Sequence, residues 1–293
     1  MASILRLRSA DNMSFLTYIR RLNEVRSSKG NREALDGALV FLKVYVVKKL
    51  HHLRRRVMTD WEFLQFRLWK ESRLHGYQTI ADPFKTIWVS PDNIQYLSSP
   101  ARPDQYAVGQ INSGDWDREG KRFNETYICK CFTERFVHGM DWAETEFVQE
   151  CLTGNRTWRG AETPEEIRER CEMMDHLYIQ ISQQGFVSRQ ELTNEDPKSA
   201  IKSGGRITVY LDNVLVDIGR DGQFFFVDGK HRLAIAKILG IDSIPVNIIV
   251  RHKQWQTVRE EIARANDPNE LSKQARHHLN HPDLKELVPD KLR

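Results

Sequence analysis

The stretch FVDGKHRLAIAKILGIDSIPVNIIV, Phe226 to Val250, decides how the chain is read. The apolar run FFFV (Phe224 to Val227) stops at Asp228-Gly229, and Lys230, His231 and Arg232 follow at once. Apolar residues then recur at helical spacing as far as Gly240, and Pro245 leads into VNIIV. This pattern predicts a buried strand, a helix from His231 to Leu239, and a second buried strand. A helix start has unpaired backbone N–H groups and the positive end of the helix dipole, so it attracts anions. Gly229 lets a ligand approach the backbone closely. Cations in the first turn oppose the dipole of a bare helix by about 0.3 kcal/mol or more each. A bound phosphate reverses that sign, because it interacts well with the dipole and with the cations, and Arg bonds it bidentately. The junction therefore reads as a phosphate site at the C-terminal end of a strand, where α/β sheets tend to hold ligands.

Outward from this junction the chain alternates. VLVDI (Val214 to Ile218) and FFFV flank Asp221-Gly222, a hairpin signal, and ITVYL (Ile207 to Leu211) is a further strand candidate. TPEEIRERCEMMDHLYIQISQQG, Thr163 to Gly185, has a threonine N-cap, Pro164 in the first position, acids in the first turn and a glycine stop, so it predicts a long helix. KTIWVSPDNIQYL predicts a short strand at Ile87 to Val89 and a proline-started turn, and ETEFVQECL a helix. Before them, SFLTYIRRLNEVRSS, ALDGALVFLKVYVVKKLHHLRRRV and WEFLQFRLWKESRLHGY carry apolar residues at helical spacing. The expectation is an α/β fold with a mixed sheet: a helical region over 1–80, a sheet domain over 81–252 with an insertion at about 100–160, and a charged helix and polar tail over 253–293.

Composition narrows the class. At 40% hydrophobic and 29% charged the chain is globular rather than disordered, and a net charge of +4 over 293 residues does not by itself call for nucleic acid. Gly37 to Val47 is the longest apolar candidate; it is broken by Lys43 and falls short of the ~18 residues a membrane span needs. With no secretory leader visible, a cytoplasmic protein is expected, with Cys129, Cys131, Cys151 and Cys171 as reduced thiols rather than a metal knuckle. The basic run Lys48 to Arg56, behind that apolar stretch, leaves open a peripheral contact of 37–56 with an anionic membrane. His277, His278 and His281 read as mobile surface, since no neighbouring acid or cysteine completes a metal site; no metal centre is expected.

The run DGQFFFVDGKHRLAIAKILGIDSIPVNIIV resembles the core of the ParB/sulfiredoxin superfamily: a strand, a G-x-x-R or G-x-H-R turn, a helix with small residues, then "G…IPV" into a strand. TIWVSPDNIQYL is similar to the family's opening strand and turn, and HLYIQISQQGFVSRQEL (His176 to Leu192) to its helix and following turn. The likeness covers about a third of the chain, mostly 170–252 and a piece near 86–97. It implies a nucleotide (ATP, ADP or CTP, with Mg2+) held at the turn by Gly229, Lys230, His231 and Arg232. Sulfiredoxins place a reactive cysteine where Lys230 stands, so the resemblance does not extend to sulfinic-acid reduction. The E-N-x-x-R motif and helix-turn-helix of ParB clamps are also missing after the core. The turn looks most like the D-G-H-H-R of the free-serine kinase branch, which implies an ATP- or ADP-dependent phosphotransferase acting on a small-molecule acceptor. In that case Asp228, His231 and an upstream acid, Asp92, would be catalytic, with a carboxylate orienting the acceptor hydroxyl and the cations stabilising the phosphoryl charge. SGDWD with Arg118 adds Asp115, Asp117 and Arg118 as a possible substrate or metal loop laid over the phosphates. The alternative is a nucleotide sensor without turnover, or a DNA-contacting relative such as a ParB-like nuclease; nucleic acid is the less favoured partner.

Overall fold

The computed structural model describes residues 58–98, 107–118, 120–158, 161–187, 196–202 and 214–289. The expected N-terminal helices before residue 58, the basic run Lys48 to Arg56 and the strand candidate ITVYL lie outside the described residues. Contacts divide the chain into two compact units. Asp60–Glu150 with Arg168–Arg293 forms the one that carries the sheet, and Cys151–Ile167 belongs to the other.

Among the described residues one mixed six-stranded sheet is formed by β1 (Thr86–Val89), β2 (Ile94–Leu97), β3 (Gln110–Asn112), β4 (Val214–Ile218), β5 (Phe224–Asp228) and β6 (Ile244–His252). Its order is β1-β6-β4-β5-β2, with β3 beside the C-terminal half of β6. β6 runs parallel to β4 and β3 and antiparallel to β1, while β5 is antiparallel to β4 and parallel to β2. All nine residues of β6 are buried, which is why IPVNIIV lacks polar alternation: it is covered on both faces. β4 and β5 form the hairpin that Asp221-Gly222 signalled, and Gly222 takes the left-handed conformation the turn needs (φ 80°).

The helices are α1 (Asp60–Leu74), α2 (Tyr127–Phe136), α3 (Glu146–Leu152), α4 (Pro164–Gln184), α5 (Pro197–Lys202), α6 (Lys230–Ile238), α7 (Lys253–Arg264) and α8 (Lys273–His277). α1 belongs to the sheet unit: Leu64 joins Val108, Trp116, Phe225 and Ile249 in one buried cluster, and Arg67 donates from Nη1 to the Val108 carbonyl at 2.8 Å. The opposite pleat of β5 sends Phe226 against Phe123, with ring centroids 4.9 Å apart, and Phe224 against His281. Leu233, Ala234, Ile235 and Ala236 of α6 are fully buried.

Two buried acids hold the sheet unit together. Asp217 lies inside β4 at an irregularity in its pairing with β6. There its carboxylate accepts from the Val250 N–H at 3.0 Å and the Ser98 hydroxyl at 2.6 Å, so a ladder donor is satisfied where the register slips. Asp283 accepts from Arg251 of β6, from Arg259 of α7 and from the Trp255 indole N–H. The C-terminal segment is therefore packed, contrary to the expectation of a mobile histidine surface. His281 lies against Phe224 and edge-on to Trp255 at 4.6 Å, with its Nε2 3.0 Å from the Gly222 carbonyl, and His278 is edge-on to the same indole. The reason is Asp283: it is the carboxylate hydrogen-bonded to both buried guanidinium groups, and His278 and His281 are carried in with it.

Candidate functional site

β5 ends at Asp228, and Gly229 then reverses the chain in the left-handed region (φ 87°, ψ 30°) before α6 begins. An L side chain adopts that conformation at a cost of roughly 1–2 kcal/mol, so the glycine is explained by the backbone alone. It also means that no N-cap side chain covers the start of α6, where the positive end of the helix dipole lies. Asp228 turns its Oδ1 back onto the Gly229 N–H at 2.8 Å.

The three side chains that follow point to different neighbours. Lys230 places Nζ 3.3 Å from the Tyr127 hydroxyl and 5.4 Å from the centre of that ring. Arg232 donates from Nη2 to the Val187 carbonyl at 2.5 Å and lies over the Phe186 ring at 4.2 Å. His231 stacks on Phe132, centroids 5.7 Å apart and planes 21° from parallel. Burial first, and then the positive charges of Lys230 and Arg170, push its pKa down to about 3. His231 is thus a neutral imidazole at pH 7: it stacks on Phe132 and is a weak base, not a cationic clamp. The positive character of the junction comes from Lys230, Arg232, Arg170 on α4 and the helix dipole.

The other candidate residues are elsewhere. Asp92 follows β1 and lies 3.7 Å from Lys237 Nζ, which also donates to the Pro91 carbonyl at 2.6 Å. Lys237 is seven residues along α6 from Lys230, about 10 Å by helical rise, so Asp92 marks the far end of that helix. Asp115, Asp117 and Arg118 do not cover the junction either. Asp117 receives the Arg220 backbone N–H at 2.7 Å and its guanidinium at 2.6 Å, which ties this loop to the β4–β5 turn. That turn and Asp228 are at opposite ends of the five-residue β5, about 13 Å or more apart. The sheet is mixed, so the C-terminal end of β5 is level with the starts of β4 and β6. The rule for parallel sheets, which collects ligand-binding loops at one edge, does not bring these loops together here.

Sequence reasoning missed Tyr127, Phe132, Phe186 and Arg170 as neighbours of the junction. Nothing local marks them, because helix α2, Arg170 in the first half of α4 and Phe186 just after that helix reach α6 only through tertiary packing. Among the described residues no group of His, Cys, Asp and Glu side chains is arranged to hold a metal ion. The four cysteines are buried and form no disulfide. Among the described residues no helix is long and apolar enough to cross a membrane. Comparisons with protein-family models, curated proteins and solved structures gave no match for this chain.

Proposed function

We propose that the chain is a ParB/sulfiredoxin-like nucleotide-binding protein that takes the phosphates of its ligand at the start of α6. The observation that carries this reading is the uncapped, glycine-started helix whose first turn bears Lys230 and Arg232, in a field also fed by Arg170. The likeness of the D-G-K-H-R turn to the superfamily supplies the nucleotide. Phosphate contacts are assigned to the backbone N–H groups after Gly229, to Lys230 Nζ and to Arg232, with neutral His231 as a hydrogen-bonding partner. Mg2+ would be carried by the phosphates, with Asp228, the one candidate carboxylate at the junction, as its protein contact.

Binding without turnover is the form of the proposal that this geometry favours. Of the three catalytic candidates, Asp92 is paired at the far end of α6 and His231 is too weak a base at neutral pH. Phosphoryl transfer to a small-molecule acceptor rests on Asp228 alone. Calorimetric titration with ATP, ADP and CTP, with and without magnesium, on wild type and Lys230→Gln tests the proposal. Saturable binding that weakens about tenfold or more in the variant is expected, worth about 1.4 kcal/mol or more. No binding of any of the three by folded wild type at millimolar concentration ends the nucleotide reading. Multiple turnover of ATP in the presence of an acceptor would move the protein to the phosphotransferase class.

A further inference from the structure

The loop that fails to cover the junction organises a different place. At the opposite end of β5, a cleft of about 350 Å³ is lined by Arg118 from that loop, Arg220 and Asp221 from the β4–β5 turn, and Gln254, Thr257 and Glu261 from α7. The α7 residues are spaced 254, 257, 261 and so lie on one face of the helix.

Arg220 is fixed before any ligand arrives. Its Nε donates to both Asp117 oxygens at 3.1 and 3.0 Å, and its Nη2 donates to the Gly114 carbonyl, Asp115 and Asp117 at 2.9, 3.0 and 2.6 Å. The Asp117 side chain is 2% exposed, so one side of the guanidinium is clamped against a buried carboxylate. These bonds use Nε and Nη2 and leave the donors of Nη1. Arg118 pairs with Asp115 only through Nε, at 2.9 Å, which leaves its two terminal nitrogens for another acceptor. The acids differ in the same way. Both oxygens of Glu261 are taken by the Ser272 N–H and hydroxyl, whereas Asp221 accepts one long bond, from Gln274 at 3.3 Å.

Charge decides what fits. The loop acids Asp115 and Asp117 already neutralise the two arginines, and Asp221 and Glu261 make the lining net negative, so a simple anion is repelled. A simple cation satisfies Asp221 but leaves the open guanidinium donors facing like charge. A molecule with both signs satisfies both sets of groups. We infer that this cleft binds a small zwitterion, one molecule with a carboxylate for Arg118 and Arg220 Nη1 and an ammonium group for Asp221. The volume is at the small end of ligand pockets, which suits a ligand of that size. This inference stands independently of the phosphate reading at the start of α6.

A ruler of ω-amino acids, from glycine to 6-aminohexanoate, tests it by calorimetric titration, with hexanoate and hexylammonium as single-charge controls. One chain length is expected to bind saturably, and both controls about tenfold or more weaker. Arg118→Gln and Asp221→Asn should each weaken the best probe by about tenfold; both side chains are at the surface, and an unchanged thermal midpoint verifies that the variants fold. The inference is overturned if no probe binds at millimolar concentration, if hexanoate binds as well as the zwitterions, or if both folded variants keep wild-type affinity.

Discussion

Asp283 lies between Arg251 and Arg259, with oxygens 2.6 and 2.8 Å from their terminal nitrogens and the Trp255 N–H at 2.9 Å, and its pKa is held well below the usual carboxylate range. Replacing it with Asn keeps the shape but leaves two buried guanidinium groups without their anion. Asp283→Asn is expected to lower unfolding stability by about 3–5 kcal/mol in urea titration; a loss under about 1 kcal/mol would show that the pair is solvated. His281 gives one part of the pH dependence. Burial lowers its pKa from 6.5 to about 4, so folding favours the neutral imidazole. The stability from that preference is complete above pH 6.5 and is lost as the pH falls towards 4, on the order of 2 kcal/mol once partial exposure is allowed for. His231, shifted further, and His278 are also lowered by burial and add in the same direction, while Asp283 stays ionised across this window. His281→Gln should make the stability profile shallower between pH 6.5 and 4, the His231 and His278 shares remaining, and superimposable wild-type and variant profiles would refute the assignment.

The β4–β5 hairpin shows how an element depends on what packs over it. Gly222 has φ 80°, and a Cβ built there would meet Trp255 Cζ3 at 2.8 Å. Backbone strain and overlap with an indole ring that cannot swing away act together. Gly222→Ala should therefore cost about 2–4 kcal/mol, more than a left-handed glycine on an open turn. Chemical denaturation of Gly222→Ala beside Gly139→Ala, a left-handed glycine of the same unit whose Cβ meets nothing within 4 Å, separates the two contributions. Equal losses would mean that Trp255 moves aside freely. At this scale the sequence was legible: DG between VLVDI and FFFV gave the hairpin, and Thr163-Pro164 gave the start of α4, because both signals depend on local backbone chemistry.

At the scale of the whole molecule, the C-terminal segment closes the sheet unit. Leu284 and Val288 are buried, and the segment lays His281 and Asp283 across β5, β6 and α7. Removing residues 272–293 would expose Phe224 and Trp255 and strip Arg251 and Arg259 of their counter-ion, a loss on the order of 5 kcal/mol or more. Given marginal native stability, the truncated chain is expected to lose its cooperative urea transition, read by tryptophan fluorescence. A transition unchanged in midpoint would restore the mobile-tail reading.

The sequence by itself determined the α/β class, the run strand–glycine–helix–strand from Phe224 to His252, and the glycine that turns the chain at the start of α6. These follow from periodicity, caps and turns, which act over a few residues. Tertiary structure alone decided which charged groups meet. Asp92 was paired with Lys237, Asp117 with Arg220 and Asp283 with two arginines across 32 and 24 positions of chain. A mixed sheet separated the acidic loop from the basic turn that sequence order had suggested it would cover. Long-range pairing is set by strand order and register, and these are fixed by which apolar faces can be buried together, so a local pattern cannot specify them.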